Sequence, residues 1–241
     1  MKIIFLGAPG AGKGTQADRV SAILGIPTIS TGVIIREAIK NSTELGIKAK
    51  KFIDAGELCP DDVVIGIIKA RLQESDCTKG FILDGFPRTV RQAEELTEMG
   101  VDIDVAVSIE VPDEAIVERM SGRRVCAACG LSYHVSANPS KDGKTCDRCH
   151  TLLTQRADDA PEVVMNRLLT YHEKTEPLKE FYSERGILKL VDGNGSVEET
   201  SLRTKEGGAI NSVMTSIKTL GVKYCPAPDF FSLAFFSNKP S

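Results

Sequence analysis

The sequence predicts an α/β fold in which helices cover both faces of a central parallel sheet, and three observations carry that prediction. Short β-branched runs alternate with longer amphipathic segments along most of the chain, as they do in strand–helix–strand units. The first run, Lys2–Leu6, leads directly into a glycine-rich turn and then into a helical segment. Between residues 122 and 159 the apolar periodicity stops and cysteine, glycine and basic residues dominate, which predicts a small insert in the fold.

The glycine-rich turn has the sequence GAPGAGKGT over residues 7–15. Glycines let a backbone approach an anion closely, and the N–H groups of a following helix point towards it. Lys13 adds a positive charge for the outer phosphates. The match to the pattern G-x-x-x-x-G-K-[ST] is incomplete, because Gly14 stands at the Ser/Thr position and Thr15 comes one residue later. Because a strand precedes the turn and a helix follows it, we predict a phosphate-binding P-loop rather than an ordinary turn with a surface lysine.

The remaining core elements continue the alternation. Further strands are predicted over residues 26–30, 81–83, 103–111 and 187–191, and helices over residues 14–24, 43–53, 61–73, 89–99, 113–121 and 196–205, with a further helical region from residue 31. A longer helical stretch begins near Pro161, and Pro177 interrupts or restarts it. Asp61 is expected to cap the helix that follows it, and Asp158 and Asp159 are expected to cap the helix at Pro161.

Several charged residues follow the predicted strands. Lys13 comes after the first strand, and Asp84 and Arg88 come after the strand over residues 81–83. Because the carboxyl ends of parallel strands share one edge of a sheet, we expect these side chains to meet in one crevice. Asp84 ends an apolar strand, which makes it a candidate to orient Mg²⁺ through water.

Three arginines flank the predicted insert. Arg123 precedes it, Arg156 follows it, and Arg167 lies about three turns further along the next helix. Planar guanidinium groups bind phosphate oxygens in pairs, so we interpret these arginines, with Lys13 and Arg88, as a cage for a phosphoryl group. An insert at this place is expected to act as a lid that excludes water. Each arginine taken alone is also compatible with a surface salt bridge.

Four of the seven cysteines form two Cys-x-x-Cys pairs that are sixteen residues apart. This is the spacing of a zinc site in which the thiolates of Cys126, Cys129, Cys146 and Cys149 surround one ion. Four protein ligands leave no open position, so we predict a structural Zn²⁺, which supplies the folding energy of a module too small to bury a core. Two disulfides, a redox pair and an iron–sulfur cluster are the alternatives, with His150 as a substitute for one cysteine ligand.

The bulk composition narrows the classes of function. A net charge of −3 provides no basic field for nucleic acid, and no apolar run reaches the roughly 18 residues of a membrane-spanning helix. The chain enters a strand at its first residues, which leaves no room for a signal peptide. Cys59, Cys77 and Cys225 are isolated, as expected in a reducing cytoplasm. We therefore expect a cytoplasmic protein, and a monomer because the predicted site closes within one chain.

Beyond residue 205 the sequence changes character. Apolar residues between positions 210 and 220 follow helical spacing, and four of the nine phenylalanines lie between positions 230 and 236. We interpret residues 206–241 as an accessory extension of unknown role, with a membrane or partner anchor as the alternative.

From its start to about residue 195, roughly four-fifths of its length, the chain resembles bacterial adenylate kinases of the long-lid, zinc-binding type. The motifs that carry the resemblance are GAPGAGKGTQ, STGVIIR, DGFPRT, GRRVCAACG, and QRADD with NRL, in the order of the family. The resemblance implies a P-loop three-layer fold and the reversible, Mg²⁺-dependent transfer of a phosphoryl group between ATP and AMP to give two ADP. It divides the chain into a core (residues 1–29, 60–121 and 160–205), a helical AMP-binding insert (residues 30–59) and a zinc-binding lid (residues 122–159).

The resemblance also implies roles for individual residues. The catalytic group comprises Lys13, Asp84, Arg88, Arg123, Arg156 and Arg167. The residues expected to bind ATP are Gly10, Ala11, Gly12, Lys13, Gly14, Thr15, Arg123, Ser132, Tyr133 and Gly195. The residues expected to bind AMP are Thr31, Arg36, Glu57, Leu58, Cys59, Gly85, Phe86, Pro87, Arg88, Gln92, Arg156 and Arg167.

One position departs from the family pattern, and two other functions stay open. Val33 stands where an aspartate is usual, which is expected to loosen the AMP-binding insert. A kinase for UMP, CMP or GMP shares the loop and lid, and only Thr31 and Gln92 favour an adenine base through the resemblance. A zinc-ribbon protein that binds nucleic acid or a partner and uses ATP as a switch is a weaker alternative, because the module has few aromatic residues beyond Tyr133.

Overall fold

The computed structural model describes residues 1–206, so the extension with its predicted helical spacing and its phenylalanines lies outside the described residues. The strands, in chain order, are β1 (Lys2–Leu6), β2 (Thr28–Ser30), β3 (Phe81–Asp84), β4 (Val105–Glu110), β5 (Arg123–Cys126), β6 (Ser132–His134), β7 (Leu153–Thr154) and β8 (Leu188–Asp192). Five of them form a parallel sheet in the order β2-β3-β1-β4-β8. The carboxyl ends of these five strands therefore lie along one edge.

The helices connect the strands as the sequence predicts. In chain order they are α1 (Lys13–Leu24), α2 (Thr31–Lys40), α3 (Glu44–Ala55), α4 (Asp61–Leu72), α5 (Val90–Glu98), α6 (Asp113–Ser121), α7 (Pro161–Thr170), α8 (Leu178–Glu184) and α9 (Val197–Glu206), with short 3₁₀ turns at Ser75–Lys79 and Ala157–Asp159. Within residues 1–206, none of these helices combines the length and the apolar character needed to cross a bilayer.

Both faces of the parallel sheet are covered. Successive residues of β1 point to opposite faces, and Ile3 and Phe5 pack with residues of α1, α6 and α7 on one side. Ile4 and Leu6 pack on the other side with residues of α2, α4, α5 and α8. Side chains from both faces are fully buried, as in other parallel sheets. The predicted three-layer α/β fold is confirmed.

The predicted order of core elements is confirmed, but two predictions of helix caps are wrong. Helix α4 follows Pro60, and the carboxylate of Asp61 accepts hydrogen bonds from Thr89 and Gln92 instead of capping its own helix. Helix α7 follows Ala160 and has no side-chain cap. Asp158 and Asp159 lie in the preceding 3₁₀ turn and pair with arginines. In each case a tertiary partner competes successfully with the helix N-terminus for the carboxylate.

The insert contains a second sheet that the sequence does not predict. Three short antiparallel strands pair in the order β6-β5-β7. A small cluster of Cys126, Tyr133 and Cys146, with Leu131 and Leu153 against it, forms the interior of this module. Strands of two to four residues carry too little periodicity to be recognised in the sequence.

The helical stretch after Pro161 contains an irregular turn. Helix α7 passes into a π-helical turn, Tyr171–Thr175, before α8 begins. The N–H of Glu176 donates to the carbonyl of Tyr171 over 2.9 Å, a bond that spans five residues instead of four. Pro177 stands directly before α8, so the helix restarts at the predicted proline.

Candidate active site

The glycine-rich turn joins β1 to the start of α1 at the carboxyl edge of the sheet. Gly7 has φ 133° and Gly10 has φ 85°, both in the region that favours glycine. A Cβ at Gly7 would lie 2.5 Å from the carbonyl oxygen of Ile109, and one at Gly10 would lie 2.8 Å from the sulfur of Met120. The turn is thus packed too closely against β4 and α6 for any other residue at these positions. Ala11, Gly12, Gly14 and Thr15 complete the turn and the start of α1.

Lys13 lies beside this turn, with its ammonium donating to the carbonyls of Gly7 at 2.7 Å and Ala8 at 2.8 Å. Burial lowers the pKa of Lys13, Asp84 opposes this effect, and the positive charges of Arg88, Arg167 and Arg123 add to it, so that the pKa is about 8. Cations from three separate parts of the chain therefore act on Lys13. A site with this excess of positive charge is chemically suited to a polyanion.

Asp84 ends β3 next to the start of α1. Its carboxylate accepts a hydrogen bond from the hydroxyl of Ser30 at 3.1 Å. A Cβ at Gly14 would lie 3.4 Å from the same carboxylate. A side chain at position 14 would therefore be in ordinary contact with Asp84, close to the helix N-terminus. The side chain of Thr15 is exposed.

Arg88 follows β3 in the segment DGFPR and donates two hydrogen bonds to nearby residues. Its Nε donates to the carbonyl of Gly85 at 2.8 Å, and the same carbonyl accepts from the hydroxyl of Thr31 at 2.8 Å. Its backbone N–H donates to Oε1 of Gln92 at 2.8 Å. Burial lowers the pKa of Arg88, which reflects how far its guanidinium is removed from water. Phe86 and Pro87, between the two bonded residues, are buried.

Of the predicted AMP-binding residues, the segment 57–59 precedes α4 in the chain and Gln92 lies on α5. Nε2 of Gln92 donates to Asp61 at 2.6 Å, so both polar atoms of this amide are engaged within the protein. Glu57 and Leu58 line a cleft of about 420 Å³ against α7. Cys59 is buried next to them, and burial raises the pKa of its thiol, with Arg88 opposing the effect.

Two carboxylates that the sequence analysis misplaced hold Arg123 and Arg167. Asp159 has a fully buried side chain and accepts from Nε of Arg123 at 2.7 Å and from its NH2 group. Arg167 donates to Asp158 at 2.9 Å and lies 3.5 Å from Asp159. Burial lowers the pKa of Arg167 to about 10 despite these carboxylates. The two acidic residues therefore orient two arginines without neutralising the whole group.

Arg36 and Arg156 complete the group of cations. Within residues 1–206 the structure shows no hydrogen bond or ion pair from either guanidinium to the protein. Burial, with the charges of Arg36 and Arg123, lowers the pKa of Arg156 to about 10 against the opposing effect of Asp158 and Asp159. Val33 lies on the first turn of α2 with 44% of its surface exposed, and α2 is formed despite the absence of the usual aspartate.

Some of the predicted residues do not lie in this group. Ser132 is exposed on β6. Tyr133 is buried in the insert, where its hydroxyl accepts from the N–H of Asp147 at 2.9 Å and lies 3.5 Å from the sulfur of Cys146. Gly195 lies between β8 and α9, and Arg119 donates to its carbonyl at 3.4 Å and to that of Gly193 at 2.8 Å. The sequence analysis missed Arg119, although it projects from the helix that leads into the insert.

The four cysteines of the insert lie on two turns with matching geometry. In the first turn Gly130 has φ 76° and donates to the carbonyl of Cys126; in the second His150 has φ 56° and donates to the carbonyl of Cys146. The four sulfur atoms all lie within 4.8 Å of one another. None of the six cysteines in the described part of the chain forms a disulfide, and His150 does not belong to the sulfur cluster.

The chemistry of this cluster fits a tetrahedral metal ion. Zn–S bonds of about 2.3 Å place sulfur atoms about 3.8 Å apart in a tetrahedron, and the two closest pairs here are separated by 3.3 Å and 3.5 Å. Burial opposes ionisation of Cys146, but the Tyr133 hydroxyl and the N–H groups of Cys149 and Arg148 bring its pKa to about 6. Burial and hydrogen bonds to the neighbouring sulfur atoms raise the pKa of Cys129 to about 12, and metal binds the ionised form of a thiol.

Comparison with known proteins places these observations in a family. The family model described as adenylate kinase matches residues 5–187, a range that contains all six cations and all four clustered cysteines. An adenylate kinase from Lachnospira eligens is 54% identical over 203 residues, which are 83% of this chain and 95% of the relative. One from Ruminiclostridium cellulolyticum is 55% identical over 84% of this chain and 97% of its own length. One from Archaeoglobus fulgidus is 54% identical over 82% and 93%.

Proposed function

We propose that this chain, which belongs to the adenylate kinase family, carries out reversible transfer of the terminal phosphoryl group of ATP to AMP, giving two ADP, at the group of cations around its glycine-rich turn. The observation that carries this proposal is the convergence of Lys13, Arg36, Arg88, Arg123, Arg156 and Arg167, whose charges act on one another. Phosphoryl transfer depends mainly on positioning and on neutralisation of charge. No general base is required, since the acceptor phosphate is itself a nucleophile.

The proposal assigns a role to each part of this group. In our proposal the N–H groups of the glycine-rich turn and Lys13 bind the phosphates of ATP, and Gly195 meets its adenine beside Arg119. Arg36 and Arg88 bind the phosphate of AMP, whose base lies near Thr31, Gln92 and the segment 57–59. Arg123, Arg156 and Arg167 reach the phosphoryl group that moves between the two nucleotides. Bidentate contacts from several guanidinium groups would hold the reacting atoms in line.

The division of labour between segments is also part of the proposal. Residues 30–59, with α2 and α3, form the AMP-binding insert, and residues 122–159 form a lid over ATP. The remaining residues 1–29, 60–121 and 160–205 form the core. Closure of the lid would exclude water, which otherwise competes with AMP as acceptor.

Two metal ions belong to the proposal. Mg²⁺ bound with ATP would neutralise phosphate charge, and Asp84, bonded to Ser30 beside the glycine-rich turn, would orient it. Zn²⁺ would be held by Cys126, Cys129, Cys146 and Cys149 and would stabilise the lid without taking part in the reaction. The cysteines that lack a disulfide support a reducing compartment, the cytoplasm. A site built from one chain supports a monomer with no nucleic acid or membrane partner.

The test is formation of ADP from ATP, AMP and Mg²⁺, with each component omitted in turn. We expect ADP only when both nucleotides are present, at two ADP for each ATP consumed. AMP should exceed UMP, CMP and GMP in kcat/KM. Hydrolysis of ATP without AMP, or preference for another monophosphate, would overturn the assignment of the acceptor.

A matched pair of lysine variants tests the site itself. Lys13→Ala should lower kcat by roughly two orders of magnitude or more while the fold is retained. Lys69→Ala removes an exposed lysine of α4 and should leave kcat unchanged. Equal turnover in the two variants would contradict the role of Lys13.

A further inference from the structure

The π-helical turn after α7 brings a hydroxyl group to the loop that carries Arg88. An extra residue in a helical turn changes which side chains face the core, and here both Tyr171 and Thr175 are buried. Oγ1 of Thr175 donates to the backbone carbonyl of Arg88 over 2.8 Å. Thr175 is only 9% exposed, so water has little access to replace this hydrogen bond.

The backbone of Arg88 is held from two sides. Gln92 of α5 accepts from its N–H at 2.8 Å, and Thr175 donates to its carbonyl at 2.8 Å. The guanidinium is fixed separately by the bond from Nε to the carbonyl of Gly85. Since Gln92 is already among the predicted site residues, Thr175 is the contact that the sequence analysis did not find.

The same helical stretch also carries Arg167. It lies on α7, eight residues before Thr175, which is a separation of about 12 Å along a helix. One rigid stretch thus presents the side chain of one arginine and fixes the backbone of another. Displacement of about 1 Å is enough to slow an in-line transfer considerably.

We infer that Thr175 is a positioning residue for phosphoryl transfer, which sets Arg88 relative to Arg167 through the carbonyl of Arg88. This inference rests on the proposed function. A hydroxyl that served only to satisfy a buried carbonyl would affect stability and would not distinguish the two nucleotides. The kinetic constants for AMP and ATP therefore separate the two roles.

The experiment compares three variants of the full chain. Thr175→Val removes the hydroxyl and nearly preserves the shape, whereas Thr175→Ser keeps the hydroxyl. Thr204→Val is the matched control, because Thr204 is 1% exposed and its hydroxyl donates to the carbonyl of Thr200 within α9. Thermal unfolding is measured for each variant, and KM and kcat are measured for each nucleotide.

We expect Thr175→Val to lower kcat/KM for AMP by about fivefold in total, through a raised KM for AMP together with a lowered kcat, the factor that corresponds to one ordinary hydrogen bond. KM for ATP should change by less than about twofold, and Thr175→Ser should restore both constants. Equal changes in KM for AMP and for ATP in Thr175→Val, or kinetic constants like those of Thr204→Val, would overturn this inference and leave the proposed function standing. A wild-type chain that forms no ADP would overturn the proposed function and this inference with it.

Discussion

At the scale of single residues, Asp159 explains how the arginines lie so close together. Its carboxylate is fully buried and faces Arg123 and Arg167. Two guanidinium groups taken from water without a counter-charge would repel each other strongly. Asp159 therefore has both a structural and an electrostatic role, and its removal leaves two buried charges poorly compensated.

We predict that Asp159→Asn lowers the free energy of unfolding by about 3 kcal/mol, as expected for breaking a buried ion pair. The control is Asp62→Asn, whose ion pair with Arg91 is exposed, with 80% and 60% of the two side chains accessible. That substitution should cost less than about 1 kcal/mol. Denaturant unfolding of the two variants in parallel measures both values, and equal losses would contradict the role of Asp159.

At the scale of elements, His172 joins the π-helical turn to α6. Its ring lies 2.9 Å from the carboxylate of Asp113, the first residue of α6, and 2.7 Å from that of Glu176. Glu176 is also paired with Lys179 at 2.8 Å. The hydrogen bond to Glu176, followed by that to Asp113, raises the pKa of His172 above its usual value of 6.5.

The direction of this shift gives a pH dependence. A group whose pKa is higher in the folded than in the unfolded protein stabilises the fold fully at a pH below its unfolded pKa. This stabilisation is lost as the pH rises through the pKa of the group in the folded protein. We predict that His172→Gln destabilises the protein more at pH 6 than at pH 9, by a modest amount because the site is partly exposed. Thermal unfolding at both values tests this, with His150→Gln as the control. A loss that does not depend on pH would contradict the prediction.

The second prediction at the scale of elements is that the cysteine module binds zinc. Protein purified without chelator should contain about one Zn²⁺ per chain, since four thiolates complete a tetrahedron. Cys129→Ser should release the metal and lower Tm by about 5 °C or more, with a smaller effect on kcat. Cys77→Ser changes a buried thiol outside the cluster and should leave the zinc content intact. Metal-free wild-type protein, measured by atomic spectroscopy, would exclude a zinc site.

Sequence patterns predicted some elements better than others for physical reasons. The strands of the parallel sheet were found because they are buried on both faces and read as continuous apolar runs. The strands of the insert were missed because they are short and cluster around cysteines, which show no periodicity. Asp61, Asp158 and Asp159 have the composition of helix caps, but their partners come from residues distant in sequence.

At the scale of the whole molecule, the sequence named candidate residues for the site, whereas it did not name their hydrogen-bond partners. Lys13 and Arg88 were named from motifs that follow strands, and Arg123 from its place at the start of the insert. The hydrogen bonds that Asp159 accepts from Arg123 and that Thr175 donates to Arg88 connect residues far apart in the chain. Such contacts depend on the packing of helices, which no local pattern records.

Truncation after residue 206 tests whether the described part of the chain is sufficient. All the residues of the proposed site lie within it, so we predict that kcat and both KM values stay within about twofold of the full chain. The measurement is steady-state kinetics on the two proteins at equal concentration. A large loss of turnover, with unchanged thermal unfolding, would instead assign the extension a direct part in activity.

The pairing of β5 with β7 makes the cysteine module exchangeable. Cys126 is paired with Leu153 across this ladder, so the polypeptide leaves and re-enters at neighbouring positions. A cassette with adjacent ends can be replaced by another of different length without moving its surroundings. Replacing residues 127–152 would keep Arg123 and Arg156 on either side of the graft. If the cysteines bind metal as proposed, dependence on metal and capacity for phosphoryl transfer would be separable traits, which engineering could gain or remove independently.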